Sequence, residues 1–235
     1  MTALKATDYK NLSMRAAIVI AAQILANPRC VLGFATGGTP EGIYAELVSM
    51  YKDGLLDFSR VTTFNLDEYY PIDPAHGQSY HRYMREKLFD HVNINPGNTF
   101  IPNGLAADPE SECREYEAKL KGAGGIDLQL LGIGRNGHIG FNEPHCVFSG
   151  FTGVVTLTED TRAANARFFS DAGQVPAQAI TMGVEQIMRS RAILLCAHGK
   201  SKQSALEKLF TGPIDPRLPA SALRFHNNAL VIYCD

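Results

Sequence analysis

Apolar positions change their period every ten to twenty residues along this chain. Leu12, Ala16, Val19 or Ile20, and Ile24 recur at helical spacing, and Asn27-Pro28 stops the run. Residues 30–35 form a short, unbroken apolar run that ends at Thr36-Gly37-Gly38-Thr39-Pro40. Pro40, placed at a first helical position, opens a helix over 41–52. A β-branched run at 61–65 predicts a strand, followed by a long loop and a helix around 80–89. Further strands are predicted at 98–101, 127–132, 153–157, 192–197 and 228–233. Helices are predicted at 108–121 and 201–210, with a short one after 180–183.

Apolar strands alternating with helices imply an α/β, Rossmann-like fold: a mostly parallel sheet with helices on both faces. No linker, internal repeat or low-complexity tract interrupts the pattern, so one domain over 1–235 is expected. Ligands in such sheets bind beyond the carboxyl ends of the strands. The loops after Ala35, Asn65, Gly132 and Ala197 are therefore where chemistry is sought.

Composition narrows the function classes. The 235 residues carry 22 Lys+Arg and 24 Asp+Glu, a formal net charge of −2, which gives no basic footprint for nucleic acid. No stretch approaches the roughly 18 apolar residues of a membrane helix, so no membrane partner is expected. The first ten residues lack the layout of a secretory signal. Cys30, Cys113, Cys146, Cys196 and Cys234 are odd in number and widely spaced, with no C-x-x-C pair. They read as reduced thiols of a cytoplasmic protein.

Three segments could carry chemistry. In the first, 35–40, two glycines allow backbone N–H groups to approach an anion. Thr36 and Thr39 add hydroxyl donors, and the helix that follows adds its positive end. The same residues also suit a tight strand-to-helix turn. The segment is not a Walker A loop, and Gly199-Lys200-Ser201 only mimics the tail of one, because Leu194 stands where its first glycine belongs. In the second, Asp67 and Glu68 sit side by side directly after a strand. Their side chains point in different directions, so one can enter a cleft as a general base while the other pairs elsewhere. A solvated acidic turn is the plainer alternative.

The third segment is Gly132-Ile-Gly-Arg-Asn-Gly-His-Ile-Gly-Phe-Asn-Glu-Pro144. Gly132, Gly134 and Gly137 spell G-x-G-x-x-G, but a dinucleotide site needs a helix to open there, and 140–144 is poor helix material. What remains is His138, suited to proton transfer near neutral pH, with Glu143 five residues on to orient its ring. Arg167 and Lys202 are isolated cations, either surface charges or partners for an anion. The other histidines, His198 among them, read as structural or surface, and no helical metal pair is present.

Taken in order, five stretches resemble the glucosamine-6-phosphate deaminase (isomerase) family: 35–40, 64–69, 131–144, 157–169 and Gly199-x-x-Lys202. They cover nearly the whole chain. The 131–144 block is specific, and the 35–40 loop is shared with the related 6-phosphogluconolactonases. The resemblance implies conversion of glucosamine 6-phosphate and water to fructose 6-phosphate and ammonia in amino-sugar breakdown, with no metal and no cofactor. It implies ring opening by His138, oriented by Glu143 and Asn136, and enolisation by Asp67. It assigns the substrate phosphate to Thr36, Gly37, Gly38, Thr39, Arg167 and Lys202.

Two departures stand out. Many longer members carry Asp where this chain has Asn136, which cannot bear charge, so a different pH profile is expected. The longer allosteric members have basic residues where Gly153 and Val155 stand here, and an extension beyond Cys234-Asp235. The expectation is a monomer, with a homo-oligomer as the alternative, and no activation by N-acetylglucosamine 6-phosphate. Two other readings are kept: a 6-phosphogluconolactonase, and a non-catalytic sugar-phosphate-binding regulator on the same fold. A lactonase has no use for a C2 base, and a sensor has no use for Asp67, His138 and Glu143 together.

Overall fold

The computed structural model describes residues 1–166, 169 and 174–235. Its main sheet takes strands β1 (Thr2–Lys5), β2 (Val31–Phe34), β3 (Thr62–Asn65), β5 (Thr99–Phe100), β6 (Leu128–Leu131), β9 (Ala192–His198) and β10 (Ala229–Cys234). They lie in the order β1-β10-β9-β6-β2-β3-β5, and every neighbouring pair is parallel. All four residues of β2 and of β6 are buried. A strand covered on both faces has no polar side to alternate with, hence the unbroken apolar runs in the sequence. The strand order reverses between β2 and β6. The loops leaving those two strands therefore flank the crevice where such sheets hold ligands.

Helices α1 (Tyr9–Ala26), α2 (Gly38–Lys52), α3 (Tyr80–Lys87), α4 (Pro109–Gly122), α5 (Glu159–Ala166), α6 (Val184–Met188) and α7 (Gln203–Thr211) connect the strands. In α1 the predicted stripe is the buried one, with Leu12, Ala16, Ile20 and Ile24 all in the core and Val19 packed at its edge. Asp8, Ser79 and Asp108 cap α1, α3 and α4 by accepting backbone N–H groups of the first turn. Pro40 is not the first residue of α2: the helix begins at Gly38, because two glycines already provide the turn.

A second, three-stranded antiparallel sheet has the order β4-β8-β7, from β4 (Asp67–Tyr70), β8 (Gln178–Thr181) and β7 (Gly153–Thr156). Sequence reasoning placed Asp67 and Glu68 in a loop; they begin a strand. Only Leu66 separates β3 from β4, and it bridges the sheets, donating to Phe34 O at 3.1 Å and accepting from Met182 N at 2.8 Å. Asp67 pairs with Thr181 and Glu68 with Ile180. Acidic and aromatic residues in a row, Asp-Glu-Tyr-Tyr, hide this strand from an apolar-period reading. Strand β1 and helix α5 were likewise absent from the predicted elements. No helix opens after Gly132, as the reading of 132–144 as a loop required. Among the described residues, no helix is long and apolar enough to cross a membrane.

Candidate active site

One cavity of about 750 Å³ lies at the carboxyl end of the main sheet. Its lining includes Thr36, Gly37, Gly38 and Thr39 after β2, Asp67 at the start of β4, His138 after β6, and Lys202 after β9. Four segments far apart in sequence thus meet in one space.

The β2–α2 loop is held by three tyrosines. Tyr44 donates to Ala35 O at 2.5 Å and Tyr83 to Gly37 O at 2.7 Å. The Tyr9 hydroxyl reaches Gly38 O at 2.9 Å and Thr39 O at 3.1 Å, and accepts Gly42 N–H at 2.8 Å. With its carbonyls taken, the loop presents the N–H groups of the first turn of α2, which have no acceptor within the helix. Gly37 has φ +99°, a conformation that costs a side-chain-bearing residue dearly. Lys202, in a short 3-10 helix after Gly199, adds a cation to the cavity lining. An N-terminal helix turn, two threonine hydroxyls and an ammonium group suit a phosphate dianion.

Asp67 and Glu68 alternate across β4, as neighbouring strand residues must. Asp67 lines the cavity. Glu68 turns the other way and is fully buried. Its Oε1 accepts from Tyr69 N at 2.9 Å and Tyr80 N at 3.0 Å, and its Oε2 from Tyr80 N at 2.8 Å and His81 N at 3.2 Å. Glu68 therefore anchors the N-terminus of α3. Burial pushes the Glu68 carboxyl up to about 7, against the N–H groups of Tyr80, Tyr69 and His81 that hold it down. Burial, with the neighbouring Glu68 charge, pushes Asp67 up to about 8.

The 132–144 loop folds back on itself. Gly134 N donates to His138 O at 2.9 Å and Gly137 N to Gly134 O at 3.1 Å. This lays the imidazole of His138 directly over Gly134, where a β-carbon would overlap the ring. Asn142 Nδ2 pins the far side of the loop through Ile139 O at 2.9 Å and Met182 O at 2.8 Å.

Behind His138 lies Glu143, whose Oε2 is 3.5 Å from Nδ1. That separation is longer than a good hydrogen bond, and Nδ1 has no other polar partner. Asn136 Nδ2 donates to the same Oε2 at 2.8 Å, and Asn136 Oδ1 accepts His138 N–H at 3.2 Å. The other oxygen, Oε1, accepts the hydroxyls of Thr158, at 3.2 Å, and Thr161. Burial pushes the Glu143 carboxyl up, but the adjacent His138 ring, the Thr161 hydroxyl and the Asn136 amide outweigh it and hold it at about 2. Asn136 and Glu143 themselves do not line the cavity: they support the ring that does.

Of the other expected residues, Arg167 lies outside the described residues. Sequence reasoning passed over several lining residues. Tyr80 stacks near-parallel to Phe141, with centroids 6.2 Å apart. Asp160 pairs with Arg135 at 2.7 Å at the rim. His198, read from the sequence as structural or surface, is exposed at the end of β9 and also lines the cavity, with its ring 4.6 Å from that of Tyr9. Its position at the carboxyl end of β9, just before Gly199, was the signal that could have placed it there.

A family model described as glucosamine-6-phosphate isomerases/6-phosphogluconolactonase matches residues 7–232. The chain belongs to this family. A glucosamine-6-phosphate deaminase of Lachnoclostridium phytofermentans is 50% identical over 234 residues, covering 100% of this chain and 99% of that protein. One from Clostridioides difficile is 51% identical over 232 residues, covering 99% and 93%. Among solved structures, a monomeric glucosamine-6-phosphate deaminase superposes with TM-score 0.98 at 47% identity, over 100% of this chain and 97% of that one. A 6-phosphogluconolactonase of Thermotoga maritima shares the fold, with TM-score 0.78 at 20% identity over 100% and 99%. The lactonase branch of the family thus shares this architecture, while the chain stands far nearer the deaminase branch.

Proposed function

We propose that the chain is a glucosamine-6-phosphate deaminase that converts glucosamine 6-phosphate and water to fructose 6-phosphate and ammonia. The observation that carries this reading is a single cavity lined by a buried carboxyl, an oriented imidazole and a phosphate-suited loop. Relatives about half identical over nearly the whole chain bear that enzyme's name.

The substrate phosphate sits on the N–H groups and hydroxyls of 36–39, with Lys202 neutralising charge and Arg167 assigned there by the family pattern. His138 takes the anomeric hydroxyl proton and returns one to the ring oxygen, which opens the sugar. Ionised Glu143 holds the ring in register and stabilises the imidazolium while it carries that proton. Asp67 then removes the C2 proton, the electron pair moves onto the C1 carbonyl oxygen, and that oxygen takes up a proton shed by the C2 ammonium, which gives a neutral enolamine. Delivery of the proton to C1 leaves a C2 iminium. Water adds to C2, the carbinolamine loses ammonia, and the ketone of fructose 6-phosphate remains. Asp67 must be ionised for its step. The C2 ammonium of a bound amino sugar favours that charged form, so binding itself activates the base.

The working unit is a monomer, in keeping with the assembly of the structural neighbour that superposes at TM-score 0.98. Strand β7, Gly153–Thr156, carries no basic residue, which supports an enzyme without response to N-acetylglucosamine 6-phosphate. Supplying glucosamine 6-phosphate and, separately, 6-phosphogluconolactone to the purified chain tests the reading. Ammonia release with no catalysed lactone loss is the expected result. Lactone hydrolysis without ammonia contradicts it.

A further inference from the structure

The two oxygens of Glu143 serve two different neighbours. Oε2 faces the His138 ring and Asn136. Oε1 faces α5, where it meets two hydroxyls and no charge: Thr161 in the first turn and Thr158 just before the helix. Thr161 is 3% exposed, so its hydroxyl has no water to fall back on. Thr158 is held in turn by the helix it caps, accepting Thr161 N–H at 3.2 Å on its hydroxyl and Arg162 N–H at 2.9 Å on its carbonyl. The titratable groups around the carboxylate come from elsewhere: His138 in its own loop, and the nearby Cys146 thiol, which burial and the Glu143 charge keep in its neutral, protonated form.

A carboxylate offers about four lone-pair sites and can turn about its last side-chain bond. Fixing one oxygen by two hydroxyls stops that rotation and leaves a single oxygen for the imidazole. We propose that Thr161, backed by Thr158, is a positioning residue for ring opening: it clamps the Glu143 carboxylate in the plane that presents Oε2 to His138. The same helix lines the cavity through Asp160, Thr161, Ala164 and Asn165, so the clamp is built into a wall of the site. The inference rests on the deaminase reading above and adds to it a residue outside the cavity's acid–base set. Thr161 acts through Glu143 and His138 and moves no proton of the substrate.

The test compares the native chain with Thr161→Val, which keeps the shape and removes the hydroxyl, and with Thr161→Ser, which keeps the hydroxyl. Turnover of glucosamine 6-phosphate is measured beside inhibition by 2-amino-2-deoxyglucitol 6-phosphate, an open-chain analogue with no ring to open. Thr161→Val is expected to lower kcat about 10- to 100-fold, the worth of a hydrogen bond to a charged group. Inhibition by the open-chain analogue stays within about twofold, and Thr161→Ser recovers most of the rate. Should valine not be tolerated, Thr161→Cys, a weaker donor, carries the test with a several-fold fall in kcat and unchanged inhibition. Native kcat in Thr161→Val, or a parallel loss of turnover and analogue binding, overturns the proposal. If the native chain itself releases no ammonia, the deaminase reading fails first and this one with it. An active native chain with an unaffected Thr161→Val removes only the clamp.

Discussion

Asp67 illustrates how a single side chain trades stability for chemistry. It is buried, and its carboxyl is raised from the ordinary 3.8 to about 8. Between those two values the folded protein holds a proton that the unfolded chain has released, so stability falls as pH rises through the window. Asp67→Asn removes that penalty. Its midpoint of thermal unfolding is expected to exceed the native one by several degrees at pH 8 and by much less near pH 4, in calorimetry at both values. An equal shift at the two pH values contradicts the assignment of the raised carboxyl. Gly134 makes the complementary point, since its role is an absence. A methyl group there has to displace the His138 ring, and misplacing a catalytic group by about 1 Å can cost on the order of 100-fold. Gly134→Ala is expected to lose rate on that scale with little change in KM, as steady-state kinetics will show.

At the scale of elements, Glu68 does for α3 what its neighbour does for the substrate. Four contacts from three backbone N–H groups, Tyr69 buried and Tyr80 and His81 partly buried, converge on its carboxylate. Glu68→Ala leaves those donors without an acceptor, and a loss of about 3 kcal/mol is expected in urea unfolding. A change below about 0.5 kcal/mol contradicts the anchoring role. The divergence of Asp67 and Glu68 was legible in the sequence, because strand residues alternate. The strand itself was not, because β4 is acidic and aromatic and its partner, β8, lies more than eighty residues further along the chain. Cavity residues 36–39, the proposed phosphate loop, and His138 were readable from glycine-rich turns at strand ends. Thr161 carried no such signal: a threonine near the start of a helix looks like any other until the fold brings Glu143 beside it. His198 shows the same limit, since only the register of β9 against β10 brings it to the rim of the cavity.

For the molecule as a whole, the parallel sheet is the frame on which four distant loops converge, and the small antiparallel sheet delivers Asp67, the proposed base. The described residues that line the cavity all come from one chain, as the proposed monomer requires. The expected solution mass is therefore that of one 25.7 kDa chain, with a hyperbolic rate curve that N-acetylglucosamine 6-phosphate leaves unchanged. Analytical ultracentrifugation and initial-rate kinetics check both. A sigmoidal curve made hyperbolic by that effector contradicts the monomeric reading. The central claim is that Asp67 and His138 share one sugar phosphate and that Asp67 moves its C2 proton. Ammonia and fructose 6-phosphate formed from glucosamine 6-phosphate, by the native chain and by Asp67→Asn side by side, test it most directly. The account predicts both products in equal amounts from the native chain and a loss of about 100- to 10,000-fold in the variant. A native chain that binds the sugar phosphate without turning it over, or an Asp67→Asn variant as fast as the native chain, contradicts it.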